Sequence, residues 1–521
     1  MPSISRPPPL PGFGLSLSYK SSDDLFPSAL DPKLSEYYEP DNGDHRARLP
    51  AFTLRELRML EFMNTVTDKP NWETKVLSGE IFKSDTAIPS ELKLLLKSAF
   101  VPLESVPEDE RDWHPGSNEQ VLDLVHPSLF PLVYDLSRIL PDSTTDLGDC
   151  IERCGAGELA VLTSSPSGFT DAAYSENFQW LPCDVDISGD TPKIISYINN
   201  LHPQKHNSLY EIIEKVLAKV IPFWNATLSS LLDHIPQCIG YYGVHYHEDA
   251  WEKYREDHEP EQEEGEDDTD FEERQDDWES NHKKKFYVQP DVEEDFQPPE
   301  DDIIVKLANI LLTPEKPEYA GGTWHIEGQL NEHICATAIY YYDVENISSS
   351  KLHFRACIDP ASVDADCERN DNYWVEEIYG LENYAPAIQE LGGVEAREGR
   401  LITFPNILQH QVQPFGLADP TKPGHRKILA LFLVEPNIKI ISTANVPCQR
   451  QDWREELILD SNVLLKLPVE LRDIVVKDRG DFPISLHEAK EIREELMEER
   501  REYVLGYQRG TSKTQISLCE H

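Results

Sequence analysis

His325 and His410 stand 85 residues apart, so a shared ion requires the chain between them to fold back across a β-rich layer. The first sits in Gly322-Thr323-Trp324-His325-Ile326-Glu327-Gly328. In extended backbone, side chains at i and i+2 point to the same side, so His325 and Glu327 can reach one ion together. Between and beyond the histidines the chain reads as short strands: His333 to Val344, Arg400 to Phe404, and Lys427 to Val434, bounded by Pro405, Pro423-Gly424 and Pro436. Strand and turn without long intervening helices predict an antiparallel barrel or sandwich. In a double-stranded β-helix the two histidines meet naturally, at one open end of two facing sheets. The expected fold class is α+β, with a jelly-roll, cupin-like core over residues 303–445, a largely helical N-terminal region and a C-terminal helix.

Two imidazoles and one carboxylate are the donor set that holds non-haem Fe(II) on one face and leaves the other open. Metal ligation is therefore expected at His325, Glu327 and His410. Arg426 follows His410 by 16 residues, at the start of an apolar strand. Its planar fork suits a carboxylate such as that of 2-oxoglutarate, although an arginine at a strand end serves an ordinary ion pair equally well. Alternation along Tyr340-Tyr341-Tyr342 turns inward either Tyr341 alone or the pair Tyr340 and Tyr342. The pair is taken, with Arg426, as the co-substrate contact. His333 and His425 read as structural. An isolated His-x-Glu triplet arises by chance among 17 histidines and an excess of acids; the specificity lies in the combination with Phe404-Pro405-Asn406 before His410.

The remaining chain divides by texture. Residues 1–48, rich in Pro, Ser and Asp, form an irregular arm. Residues 49–240 are expected to be mainly helical. Capping boxes Thr53-Leu54-Arg55-Glu56 and Ser208-Leu209-Tyr210-Glu211 each open an apolar-periodic run, the first ending near Thr67 to Pro70 and the second breaking or kinking at Pro222. Residues 241–302 are an acidic insertion. From Glu248 to Asp302 there are 25 acidic and 6 basic residues, a density that resists compaction, although Glu248 to His258 could begin as a helix. A third box, Ser485-Leu486-His487-Glu488, starts a charged helix to about Tyr503 within a C-terminal extension, 446–505, and 506–521 is a tail.

A net charge of −47 argues against nucleic acid or an anionic membrane as a general partner. Nine cysteines without a CxxC pair read as reduced thiols, and no run approaches about 18 apolar residues. An intracellular protein, cytoplasmic or nuclear, is expected. Cys150 and Cys154 lack the partners of a zinc site, and His245-Tyr246-His247 abuts the acidic run.

Several segments carry a resemblance: Asp112-Trp113-His114-Pro115-Gly116-Ser117, Val121-Leu122-Asp123-Leu124-Val125-His126-Pro127-Ser128-Leu129, Ser196 to Pro203, Gly322 to Gly328, and Phe404 to His410. From about residue 50 to 500 the chain resembles a large, mainly fungal family of unknown function. The C-terminal part of that family resembles the prolyl-hydroxylase-like 2-oxoglutarate and Fe(II)-dependent oxygenases. The resemblance implies a double-stranded β-helix, iron held by His325, Glu327 and His410, and 2-oxoglutarate held by Arg426. Glu327 stands where most of that superfamily carry aspartate. The implied activity is hydroxylase-type oxidation with O2, releasing succinate and CO2, on an unknown substrate, small molecule or protein. The alternatives are a catalytically silent β-helix that binds or scaffolds through its acidic segment, and a Zn or Mn enzyme of hydrolytic or isomerase type.

Overall fold

The structure, a computed structural model, describes residues 75–76, 81–162, 173–189, 191–229, 248–260, 301–357, 384–459 and 482–513, with single positions between 262 and 282 and at 515. The arm and the helix expected from Thr53 lie outside the described residues. The chain divides into two units: Met1–Lys75, Leu231–Glu294 and Asp364–Asn370 form one, and the rest forms the other.

In chain order the labelled elements are β1 (Ile81–Ser84), α1 (Ser90–Glu104), β2 (Val121–Val125), β3 (Cys183–Asp186), β4 (Lys193–Ile194), α2 (Asn207–Ser229) and α3 (Glu248–His258). They continue with β5 (Asp301–Leu312), β6 (Ile334–Glu345), β7 (Lys351–Cys357), β8 (Ile388–Glu395), β9 (Leu401–Pro405), β10 (Gln409–Val412), β11 (Gly424–Val434), α4 (Gln451–Leu459) and α5 (Leu486–Lys513). The fold is mixed α and β with antiparallel sheets.

The main sheet runs β1-β9-β6-β11-β5-β3-β4, with β2 also pairing on β5, and a second sheet runs β8-β7-β10. Beyond β5 the chain alternates between them: β6 joins the main sheet, β7 and β8 the second, β9 the main, β10 the second and β11 the main. Registers such as Ile339↔Ala430 and Thr337↔Phe432 fix which side chains share a face. Ile339, Ile402, Phe404, Ala430 and Phe432 from the main sheet pack with Leu352, Phe354 and Val394 from the second in one buried cluster. Each such aliphatic or aromatic side chain contributes about 1.5–3 kcal/mol through removal from water.

The region expected to be mainly helical is mixed. Between residues 81 and 229 only α1 and α2 are α-helices among the described residues, and β1 to β4 extend the main sheet. The helix α2 also passes through Pro222 and continues to Ser229 instead of breaking. Leu209, Ile213, Val216, Leu217 and Val220 before the proline and Phe223 and Trp224 after it are all buried. Packing along that face offsets the donor that proline removes.

Arg400 lies just before β9 and places its fork on Asp85, just after β1, at 2.6 and 2.7 Å, with a further bond to the Glu395 carbonyl at 2.9 Å. The hydrogen bond from Arg400 outweighs burial and holds the Asp85 carboxyl below the usual range. A depressed folded-state pKa stabilises above the ordinary value near 4, and that contribution is lost as pH falls through the lowered value. Arg400→Met is expected to cost about 2 kcal/mol at neutral pH. Denaturant titrations at pH 7 and pH 3 should show this difference shrink as Asp85 protonates; an equal cost at both would count against the pairing.

In α5 the Ser485 box is present: Glu488 accepts the Ser485 amide at 2.8 Å and donates its own amide to Ser485 Oγ at 3.3 Å. The helix runs past Tyr503 to Lys513, into the expected tail. Ile492 and Leu496 place its apolar face on the core cluster.

In the other unit the acidic stretch contains α3 over Glu248–His258, the run named from the sequence as one where a helix could begin. Trp251 is buried and lies 5.7 Å from Trp278, and Tyr254 stacks on Trp278 at 6.2 Å. Aromatic burial of this kind anchors a helix despite its charge. Among the described residues no helix is long and apolar enough to cross a membrane.

Candidate metal centre

The segment carrying His325 lies antiparallel to β10. Gly322 donates its amide to the Val412 carbonyl at 2.9 Å, and His325 and His410 exchange both backbone bonds, at 3.2 and 3.0 Å. This pairing brings together two histidines 85 residues apart in sequence. Gly321 makes the approach possible: its φ is +90°, and a Cβ there would meet the Val412 carbonyl oxygen at 2.8 Å. Arg355 of β7 covers the Trp324 ring at 4.4 Å and bonds Gln409 at 2.6 Å, securing the same segment from the second sheet.

Donor atoms of His325, Glu327 and His410 all lie within 4.8 Å of one another. Glu327 Oε1 is 3.3 Å from His410 Nε2 and 3.9 Å from His325 Nε2. Glu327 and His410 are buried, and His325 is partly open to solvent. His325 Nδ1 donates to the Thr323 carbonyl at 2.7 Å, which directs its Nε2 lone pair at the other donors. Burial, then repulsion from His410, pushes the His325 imidazole down to about 4. Burial works in the opposite direction on Glu327, but the His410 hydrogen bond and the two imidazoles outweigh it and bring the carboxyl down to about 2. At neutral pH, His325 is therefore neutral and Glu327 ionised, the forms a cation requires.

Asn406 fixes the Glu327 backbone. Its Oδ1 accepts the Glu327 amide at 2.8 Å, and its Nδ2 donates to the Glu327 carbonyl at 2.8 Å and to Ile334 at 3.1 Å. The Phe-Pro-Asn run before His410 thus positions the carboxylate 79 residues upstream. Asn406→Ala is expected to weaken Fe(II) binding roughly 10–100-fold, as loss of a supporting partner does, with an unchanged far-UV spectrum. Anaerobic titration reads the effect.

Arg426 is buried and sits opposite both Ile310 and Val344. One Nη donates to Ser350 Oγ at 3.0 Å, its guanidinium carbon is 5.5 Å from the Tyr341 ring centre, and its Nε has no partner among the described residues. The Tyr341 hydroxyl is likewise buried and unpartnered. Two orphaned donors near each other, inside the sheets, suit an anionic oxygen ligand.

Of the two tyrosines expected from the sequence, Tyr342 is committed elsewhere, while the Tyr340 hydroxyl is buried without a hydrogen-bond partner among the described residues. Tyr342 donates to Asn309 Oδ1 at 2.8 Å and Glu104 Oε1 at 3.0 Å, and its ring lies 4.7 Å from Phe100 of α1. Its hydroxyl is committed to the α1 side. Burial, followed by the Glu398 carboxylate, raises the Tyr340 phenol well above its ordinary value, and Lys93 and Lys97 of α1 bind that same carboxylate. Tyr341 is the tyrosine beside Arg426. His425 lies 3.0 Å from Asp343, and His333 occupies the left-handed cap of a short 3-10 turn, so neither joins the three donors.

The structure thus brings together three side chains that could hold a metal ion, His325, Glu327 and His410, beside antiparallel sheets, with Arg426 buried on β11. The chain belongs to the family described as "Protein of unknown function (DUF4246)", whose model matches residues 52–457, and the N-terminal domain model of that family matches residues 10–84. No curated protein matches. Among solved structures, a bsmA homolog from Methylobium petroleophilum PM1 is 13% identical with a TM-score of 0.16, covering 26% of this chain and 43% of that one. IDO from Bacillus thuringiensis is 8% identical with a TM-score of 0.25, covering 72% and 94%. The Fe(II)/(alpha)ketoglutarate-dependent dioxygenase TqaL is 9% identical with a TM-score of 0.22, covering 68% and 94%. The chain spans less than half the length of the first of these. Likeness of this size leaves function to the geometry of the site.

Proposed function

We propose that the protein is a 2-oxoglutarate- and Fe(II)-dependent oxygenase built on a double-stranded β-helix. The alternation of β5 to β11 between two facing sheets supports that architecture. The observation that carries the function is the pairing of a two-histidine, one-carboxylate centre with the orphaned Arg426 Nε and Tyr341 hydroxyl. The donor set fits iron, and the orphaned donors fit the distal carboxylate of 2-oxoglutarate.

Iron and 2-oxoglutarate, when bound, supply oxidation of a C–H bond by O2 with release of succinate and CO2. His325, Glu327 and His410 would hold the metal from one side and leave the opposite side to co-substrate and O2. Arg426, assisted by Tyr341, would neutralise and orient the carboxylate far from the metal. Phe354 and Phe404, which lie against one another at 5.0 Å with Phe404 4.9 Å from His410, exclude water behind the centre. Deprotonation of the ligands is already complete at neutral pH for His325 and Glu327, so neither has to release a proton when the metal enters.

The test is anaerobic Fe(II) titration followed by measurement of 2-oxoglutarate-dependent succinate release. One tightly bound iron with succinate formation supports the assignment. Tight iron with no 2-oxoglutarate contact removes the co-substrate role, and no bound metal at all returns the scaffold alternative.

A further inference from the structure

A second set of donors converges where the proposed oxygenase chemistry makes no use of it. The segment before β2 pairs with it as a hairpin: Trp113 is opposite Leu122, His114 donates its amide to Val121 at 2.8 Å, and Asp123 donates to Asp112 at 2.9 Å. This register places His114 and Asp123 on one face, and His126 follows just past the strand. Donor atoms of the three lie within 4.8 Å of one another. The arrangement repeats the chemistry of the first centre: one partly open histidine, one buried carboxylate and one buried histidine.

His114 Nδ1 is 2.9 Å from Asp123 Oδ2, but the other carboxylate oxygen, Oδ1, is buried without a hydrogen-bond partner among the described residues. A buried carboxylate needs compensation. Arg493 of α5 supplies part of it: its fork is on Asp112 at 2.7 and 3.0 Å, and it lies 3.7 Å from Asp123 Oδ2, leaving Oδ1 without a bond from it. A cleft of about 400 Å³ opens on the site, with Asp123, His126, Asn200 and His202 in its lining. The amide of Ser128 lies 3.2 Å from His126 Nδ1, a contact that ion binding would forfeit.

We propose that His114, Asp123 and His126 form a second divalent-cation site, of a donor type that suits Zn²⁺, with a position left for water or a small ligand from the cleft. The site is independent of the iron centre and of any activity there.

Full-length protein is stripped with chelator, dialysed to equilibrium against Zn²⁺ and assayed for metal per chain by elemental analysis. Wild type should hold two equivalents and the His325→Ala/His410→Ala variant one. Adding Asp123→Asn to that variant should remove the last. In the same first-site variant, Zn²⁺ should raise the thermal midpoint, and His114→Gln, at a partly exposed position, should abolish the rise. Loss of a direct ligand should weaken Zn²⁺ binding by more than the roughly 10–100-fold typical of a supporting partner. No equivalent in the His325→Ala/His410→Ala variant, or one indifferent to both Asp123→Asn and His114→Gln, overturns the site and leaves a histidine–aspartate hydrogen bond only. Should Asp123→Asn not fold, the His114→Gln arm decides by itself.

Discussion

His410→Ala is expected to abolish tight Fe(II) binding and bring 2-oxoglutarate-dependent succinate release to background. His410 is the donor most enclosed by the fold, 3% exposed, with its Nε2 3.3 Å from Glu327 and its backbone paired both to His325 and, through β10, to β7. Removing it takes away one of three ligands without touching those backbone bonds. It also removes the hydrogen bond that helps to keep Glu327 ionised, so the remaining carboxylate is a poorer donor. The expected loss exceeds the roughly 10–100-fold seen when only a supporting partner is removed. Calorimetric titration of iron, with circular dichroism to check folding, measures it. Iron affinity within a few-fold of wild type in a folded variant would place the metal elsewhere.

The second large effect is expected at Arg426, where replacement by methionine separates a binding role from a structural one. Truncating one partner of a buried, hydrogen-bonded charge pair costs about 2–5 kcal/mol, so 2-oxoglutarate should bind roughly 30-fold or more weakly. Iron binding should be unchanged. Stability supplies the discrimination. Removal of one partner from a structural buried ion pair destabilises by about 3–5 kcal/mol, whereas among the described residues Arg426 has Ser350 as a hydrogen-bond partner and an Nε without one. Arg426→Met should therefore be about as stable as wild type, or more so. A variant that unfolds readily yet binds 2-oxoglutarate normally would reverse the assignment.

Much of the centre was legible in the sequence because it depends on local chemistry. His-x-Glu places two donors on one side of extended backbone, and β-branched and aromatic runs bounded by proline mark β6, β9 and β11 to within a few residues. The inward face of Tyr340 to Tyr342 was not legible. β6 is buried at every position from Ala336 to Tyr342, with the core cluster on one side and α1 on the other, so the usual apolar and polar alternation that reveals parity is erased. Only the register with β9 and β11 fixes it, and that is a long-range property. Of the break or kink expected at Pro222 the break does not occur: a local rule about helix breaking was overridden by a long buried face. His114, Asp123 and His126 are separated by no recognisable metal spacing, and a hairpin register was needed to bring them together.

Helix α5 touches the molecule at three consequential points. Arg493 binds Asp112, Arg500 reaches Glu332 at 2.6 Å, and Gln508 donates to the Trp324 carbonyl at 2.8 Å, one residue from His325. Because a chain is made from its N-terminus, His325, Glu327 and His410 leave the ribosome before this helix does. The 79 residues from Val434 to Lys513 take roughly 4–16 s to add at ordinary elongation rates. During that interval the sheets that carry His325, Glu327 and His410 are made without the helix that later braces the segment beside His325.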